Sequence, residues 1–203
     1  MKSSLWLKTY IVIFMVFLYA PAILLPVFAF NNSSIVSFPL KGFTTDWFVV
    51  LAETEALHTS AKNSLMIAVV SAVLATFFGT LAARASARYN FKGRKPIMGF
   101  IMVPMVLPEI IIGVSLLVVI LQLGLDLSLW TIVLGHTLIC IPFCVAILNS
   151  AFLALDNSLE EASFDLGQTK LNTFWLVTLP LVMPGIVSSL RRCSGRLVDH
   201  NLI

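Results

Sequence analysis

Residues 158 to 184 read S-L-E-E-A-S-F-D-L-G-Q-T-K-L-N-T-F-W-L-V-T-L-P-L-V-M-P, a polar stretch between two strongly apolar runs. Ser158 followed by Glu161 is typical of a capping box, in which the two side chains bond free backbone N–H groups at a helix start. Gly167 lies where a left-handed cap would end that helix. Asn172 and Thr173 give a second start signal. The stretch therefore predicts a short capped helix, a glycine turn and a second helix that enters a membrane.

The two faces of the short helix differ in chemistry. At helical spacing, one side carries the residues that we expect to pack against other helices: Leu159, Ala162, Ser163 and Leu166. The other side carries Glu160, Glu161, Phe164 and Asp165. A bulky aromatic ring among acids indicates a partner that covers it. The alternative is a capped surface helix whose Phe164 lies on the lipid surface.

The order Glu161-Ala162-Ser163, Gly167 and Leu179-Pro180 resembles the E-A-A-x-x-x-G…L-P signature of ABC importer permeases. Ser163 stands where that signature has alanine. In that family the loop is a coupling helix that docks on a cytoplasmic ATPase. The resemblance implies that this loop, residues 156–173, couples to an ATPase through Glu160, Glu161, Ala162, Ser163, Phe164, Asp165, Gly167 and Pro180.

The composition is that of a membrane chain. Apolar residues make up 59% and charged residues 11%, whereas soluble domains carry about 25% charged residues. The net charge of +3 gives no sign of a nucleic-acid partner. The three cysteines have no accompanying ligand cluster, so we expect no metal or redox role. No phosphate-binding loop occurs, so the chain is not the ATPase. We expect no enzymatic activity and no cofactor in this chain, with ATP bound by the partner ATPase.

Hydropathy predicts the spans. The first runs from Thr9 to Phe30, the second from Ser64 to Ala83, the third from Pro96 to Leu121 and the fourth from Leu129 to Leu155. The last apolar run, Phe174 to Leu190, is shorter than the roughly 20 residues that a span needs. The small residues of the second span are expected to allow close helix packing.

Basic residues predict the topology. A cluster between the second and third spans consists of Arg84, Arg88, Lys92, Arg94 and Lys95. Loops rich in lysine and arginine lie on the cytoplasmic side. With this cluster inside, the N-terminus and the loop around Glu161 also lie inside. The alternative to a role in topology alone is that the cluster also contacts lipid headgroups or the ATPase. In the polar connection at residues 31–62, Thr45 or Asp46 would start a short helix. Its Trp47 would either anchor at the membrane interface or contact a protein that delivers the substrate.

Glu109 is the carboxylate placed deepest in an apolar run, next to Pro108. A charge there is costly, so it faces a cavity or a partner, and prolines break helices that line substrate paths. Glu109 and Pro108 are therefore candidates for the path of a cationic substrate. The alternative is an interior carboxylate bonded to a neighbouring helix. His136 is expected to be a packing residue.

The chain resembles more closely the inner-membrane permeases of spermidine/putrescine importers. The resemblance rests on G-F-T-T-D-W at 42–47, N-S-L at 63–65, Y-N-F-K-G at 89–93, and P-E-I at 108–110 with S-L-L at 115–117. It implies a multi-pass protein of the bacterial inner membrane with a type I ABC importer fold. Its partners would be ATPase subunits, a second and different permease, an external binding protein and membrane lipid. Another small solute, or a stand-alone carrier or scaffold, remains the alternative.

The end of the chain departs from this pattern. After Leu190 it reads R-R-C-S-G-R-L-V-D-H-N-L-I. If Phe174 to Leu190 spanned the bilayer, the arginines of this tail would lie outside, against the charge rule. We expect an all-α membrane protein with four complete transmembrane helices, a partial fifth, a missing sixth and a cytoplasmic coupling helix. Residues 1–190 would form the permease domain, and residues 191–203 would be an out-of-frame or truncated tail that removes transport.

Overall fold

The computed structural model describes residues 5–33, 35 and 38–201. Over this part of the chain the regular elements are helices, and one isolated antiparallel bridge joins Asn31 and Phe43. The helices are α1 (Leu5–Ala29), α2 (Asp46–Glu53), α3 (Glu55–Arg88), α4 (Arg94–Val106), α5 (Glu109–Gln122), α6 (Leu129–Ala154), α7 (Asn157–Asp165), α8 (Lys170–Thr173) and α9 (Leu179–Asn201), with a π-helical segment at Phe174–Thr178. The prediction of an all-α protein is confirmed.

The first of two compact units is Met1–Thr59. None of the residues of α1 is buried. After α1 the chain turns at Asn31, whose backbone carbonyl accepts a hydrogen bond from Trp47 Nε1 at 2.9 Å. The rings of Phe30 and Phe48 lie 5.2 Å apart. The predicted short helix at Thr45 or Asp46 is confirmed as α2, although residues 34, 36 and 37 of the predicted outer connection lie outside the described residues.

The second unit, Ser60–Ile203, is built around small residues of α3. Ala68, Ala72, Ala75 and Ala83 are fully buried in a core shared with α6 and α9. An added Cβ at Gly79 would lie 2.6 Å from the Cβ of Cys144. The backbones of α3 and α6 therefore approach closely, as predicted from the small residues of this span.

A sharp break separates α4 from α5, which meet at 107°. Leu107 and Pro108 are extended at the break, with ψ angles of 145° and 132°. Proline has no N–H to donate to the helix, and its ring disfavours helical backbone at the residue before it. The predicted stretch from Pro96 to Leu121, in which the prolines indicated a broken helix, is therefore broken at Pro108. Pro104 stays inside α4, so Pro108 accounts for the break.

The last helical run is longer than the apolar pattern indicated. It is continuous from α8 through the π-helical segment into α9. Pro180 cannot donate a backbone hydrogen bond, and the N–H of Leu179 bonds the carbonyl of Phe174, five residues earlier. Past Leu190 the helix continues, and Cys193 is buried with its Sγ 3.0 Å from that of the buried Cys144. The interpretation of residues 191–203 as out of frame stays a prediction, and residues 202 and 203 lie outside the described part.

Four helical runs are long and apolar enough to cross a membrane: α1, α3, α6 and Lys170–Leu197. The bent pair α4 and α5 passes the same test together, as a broken span or a re-entrant loop. The first, second and fourth predicted spans are thus confirmed as helices of span length. The third is a bent pair, and the run predicted to be a partial fifth span has 28 residues, enough to cross a membrane.

We predict that Gly79→Ala destabilises the protein, because the new methyl group would overlap Cys144 and force α3 and α6 apart. Overpacking of this kind costs about 1–3 kcal/mol. The matched control is Gly99→Ala in α4, where an added Cβ meets no atom within 4 Å and helix propensity improves by up to about 1 kcal/mol. Melting temperatures in one detergent compare the two; Gly79→Ala melting as high as Gly99→Ala would contradict the close approach.

Candidate functional site

The N-terminus of α7 is capped by Asp156. The carboxylate of Asp156 accepts a hydrogen bond from the backbone N–H of Ser158 at 3.0 Å. The prediction of a capping box between Ser158 and Glu161 is therefore wrong, because the cap residue is Asp156, two residues before Ser158. An aspartate at this position satisfies the same free N–H groups and also lies at the positive end of the helix dipole.

Gly167 ends α7 as predicted. Its φ of +83° lies in the left-handed region. Its N–H bonds the carbonyl of Phe164 at 2.8 Å, and the N–H of Gln168 bonds the carbonyl of Ser163 at 3.1 Å. These two bonds form a Schellman motif, which requires a residue that tolerates positive φ. The next helix starts at a cap from Thr169, whose side chain bonds the N–H of Asn172, rather than at the predicted Asn172 and Thr173.

The inward face of α7 is polar. Ser163 is buried, and its Oγ lies 2.9 Å from Oγ1 of Thr173. Glu160 accepts a hydrogen bond from Thr178 Oγ1 at 2.7 Å. Its other oxygen lies 3.4 Å from Nε of Arg88, and the two charged side chains are 13% and 12% exposed. Glu160 therefore ties α7 to the end of α3 and to the helical run that leads into α9.

The outward side of α7 includes three of the four residues that the sequence predicted to pack. Leu166 is 83% exposed and Leu159 is 44% exposed. Phe164 is 40% exposed, and Ala162 and Glu161 are also exposed. The prediction that Leu159, Ala162 and Leu166 pack on other helices is therefore wrong. Buried hydrogen bonds of Glu160 and Ser163 set the orientation of this short helix.

The basic cluster is divided between structural and exposed positions. The guanidinium of Arg84 stacks on the ring of Phe174 at 4.0 Å. Arg88 pairs with Glu160 and donates to the carbonyl of Leu155, whereas Lys92 and Lys95 are exposed. A cavity of about 360 Å³ joins Arg84 and Arg88 to the acidic side of α7. The expected topological role of the cluster stays a prediction, and two of its arginines also pack.

Glu109 is the first residue of α5, directly after the break at Pro108. Arg196 of α9 donates a hydrogen bond to its Oε1 and forms an ion pair with it. The sequence did not reveal this partner, because it lies 87 residues away. A cavity of about 390 Å³ is lined by Glu109, His136 and Arg196 among other residues. Glu109 thus has an ionic partner on a neighbouring helix and lies beside a cavity, and its place in a substrate path stays a prediction.

We predict that Glu160→Gln lowers the free energy of unfolding by about 1–3 kcal/mol, since Arg88 is left with a weaker partner. The Arg88→Ala change and the double variant complete a cycle. The coupling energy between the two sites is expected at about 0.5–3 kcal/mol. Glu161→Gln, at the exposed neighbouring glutamate, is the matched control and changes stability by less than about 0.5 kcal/mol. Additive effects of Glu160 and Arg88 variants would argue against the ionic link.

We also predict a pH response at the start of α7. The N–H of Ser158 lowers the pKa of Asp156. Because the folded pKa is the lower one, the cap stabilises α7 above the ordinary value of about 3.9 and is lost as pH falls through the folded pKa. In ¹⁵N-serine-labelled protein, the amide resonance of Ser158 should titrate with a midpoint below about 3.9. Asp156→Asn should give no such step, and a midpoint at or above the ordinary value would be the contrary result.

Comparison with known proteins agrees with this fold. A family model described as "Binding-protein-dependent transport system inner membrane component" matches residues 75–202. The spermidine/putrescine transport system permease protein PotC of Escherichia coli (strain K12) is 37% identical over 172 residues, which are 85% of this chain and 65% of PotC. The putrescine transport system permease protein PotI of the same strain is 34% identical over 192 residues, 91% of this chain and 68% of PotI.

A probable molybdenum ABC transporter permease of Haloferax volcanii is 33% identical over 154 residues, 72% of this chain and 57% of that protein. The chain therefore spans just under two thirds of PotC, at 65%, and a smaller part of the archaeal permease.

Two solved structures share the fold. A bacterial ABC transporter involved in the import of the acidic polysaccharide alginate matches with a TM-score of 0.73 at 19% identity, over 94% of this chain and 68% of that chain. A bacterial alginate ABC transporter, in complex with an alginate pentasaccharide-bound periplasmic protein, matches with a TM-score of 0.67 at 21% identity, over 89% and 67% of the two chains. With the family match over more than half of its length, this chain belongs to the binding-protein-dependent transport system inner membrane components, the transmembrane permeases of ABC transporters and not a family of enzymes.

Proposed function

We propose that this chain is a permease subunit of an ATP-driven importer and that α7 is the helix that docks on a cytoplasmic ATPase. The observation that carries this proposal is the orientation of α7. Its polar residues Glu160 and Ser163 are used inside the protein, and its apolar residues Leu166 and Phe164 are left exposed. An apolar surface outside the membrane, bordered by Glu161 and other acids, has the chemistry of a protein-binding surface.

The contacts of α7 suggest how a push from the ATPase reaches the spans. Movement of α7 would pull on Arg88 at the end of α3 and on Thr173 and Thr178 at the start of the last run. ATP is bound and hydrolysed by the partner ATPase. This chain supplies part of the translocation path and the helix that transmits the movement of the ATPase to the spans. Tilting of the spans would expose the Glu109 cavity alternately to the two sides of the membrane.

The substrate we propose is a polyamine such as spermidine or putrescine. Support comes from the named substrates of PotC and PotI and from the carboxylate of Glu109 beside a cavity. A polycation suits a negatively charged group in a water-poor site. Another small solute is the second candidate, since a permease named for molybdenum is 33% identical.

The membrane topology and the other partners belong to the same proposal. The N-terminus, the cluster from Arg84 to Lys95 and α7 lie on the cytoplasmic side of a bacterial inner membrane. A second, different permease pairs with this chain, and an external binding protein delivers the substrate from outside. One of the structures of similar fold holds a substrate-loaded periplasmic protein, which is consistent with a delivery protein here.

We predict that the co-expressed ATPase subunit of the importer is retained when this chain is purified in mild detergent. Leu166→Asp puts a charge into the proposed contact, and Glu161→Lys reverses one at its edge. Each should lower retention by about tenfold or more, as expected for residues at the centre of an interface. Leu123→Asp is the matched control, because it makes the same change at a leucine that is 68% exposed in the connection between α5 and α6, and it should keep retention. Retention unchanged by Leu166→Asp and Glu161→Lys would favour a stand-alone carrier or scaffold.

A further inference from the structure

The guanidinium of Arg196 lies between a carboxylate and an aromatic ring. It forms the ion pair with Glu109 on α5, and its central carbon lies 4.2 Å from the centre of the Phe143 ring on α6. Three helices thus bring an anion, a π face and a cation together. A guanidinium within about 6 Å of a ring face is attracted by the ring quadrupole.

The two groups that hold Arg196 have the chemistry that recognises an organic cation. A carboxylate neutralises the charge of an ammonium or guanidinium group, and an aromatic face accepts its weakly hydrated side. The side chains of Glu109 and Arg196 are 30% and 38% exposed. The pair is therefore not sealed in the core of this chain.

Arg196 also lies at the boundary between two cavities. One, of about 390 Å³, includes Glu109 and His136 in its lining. The other, of about 650 Å³, includes Phe143 and Met105. The side chain of Arg196 contributes to both linings. Arg196, together with Cys140, is thus common to the walls of both cavities.

We propose that Glu109 and Phe143 form a site for an alkylammonium group and that Arg196 is its resident occupant, an internal cation that a diamine must displace. The inference rests on the proposed polyamine function, because it takes the substrate to be a polyvalent alkylammonium ion. It adds to that function a competitor built into the chain. Displacement swings the guanidinium into the larger cavity and leaves Glu109 and Phe143 to the incoming ammonium group.

The first experiment measures equilibrium binding of radiolabelled putrescine to the full chain in lipid nanodiscs. Arg196→Gln removes the internal cation and should bind putrescine about tenfold more tightly than the unaltered chain, since a tethered competitor acts at a millimolar effective concentration. Arg94→Gln removes the same charge outside the lining of both cavities and is the matched control, with unchanged affinity. Glu109→Gln combined with Arg196→Gln should lose the gain. Equal affinities of Arg196→Gln and Arg94→Gln would overturn the proposal.

A second experiment needs no variant and therefore does not depend on the folding of one. Phenylglyoxal modifies accessible arginines, and peptide mapping reports each position. Rising putrescine concentration should increase the modification of Arg196 and leave that of Arg94, which lines neither cavity, unchanged. If saturating putrescine leaves Arg196 as protected as before, the diamine does not displace it and the inference is wrong.

The two proposals fail separately. ATPase retention depends on α7, and putrescine binding depends on Glu109, Phe143 and Arg196. Retained ATPase without a gain in putrescine binding in Arg196→Gln rejects the internal competitor and leaves the permease proposal intact. Putrescine binding with the expected gain, but without ATPase retention, rejects the coupling role of α7 alone.

Discussion

Close approach of helix backbones holds the second unit together. Lipid chains are as apolar as leucine side chains, so burial of apolar groups gives little drive for helices to associate in a membrane. Van der Waals contact between helix backbones drives association instead, and such close contact requires small residues at the interface. Gly79 meets Cys144 between α3 and α6, and an added Cβ at Gly185 would lie 2.8 Å from the Cβ of Ala151 between α9 and α6. Helix α6 is thus the common neighbour on which the other two depend.

This arrangement fixes where α7 can lie. Because α3 and the last helical run are both held against α6, Arg88 and Thr178 come within reach of one carboxylate, that of Glu160. The buried Thr178 and the largely buried Arg88 hold one acid and so orient a helix of only nine residues. The outward direction of Leu166 and Phe164 follows from this polar anchoring and not from the apolar pattern of α7 itself.

Hydropathy and turn chemistry were enough to predict the spans and the glycine turn. Apolar runs of span length and a left-handed Gly167 are local properties, and the break at Pro108 follows from the missing N–H of proline. The face of α7 was predicted wrongly because both faces have helical spacing, and the partner that selects one of them, Arg88, is far away in the chain. The pairing of Glu109 with Arg196 is likewise non-local. No feature near either residue indicates it.

The π-helical segment sets the angular phase of the last run. In an α-helix, the side chains of residues five apart are rotated by about 140° about the helix axis relative to one another. A turn with hydrogen bonds between residues i and i+5 brings these two side chains closer to the same side of the helix. Thr173 and Thr178 are five apart, and both are buried against α7. Beyond them, buried positions follow at α-helical spacing, at Val182, Ser189, Cys193 and Leu197. One continuous inner edge therefore runs from α7 to the neighbourhood of Arg196. Loss of a single residue from this segment would turn the rest of α9 by about 100° and carry Arg196 away from Glu109, so the register of the run at one end determines which charges meet at the other.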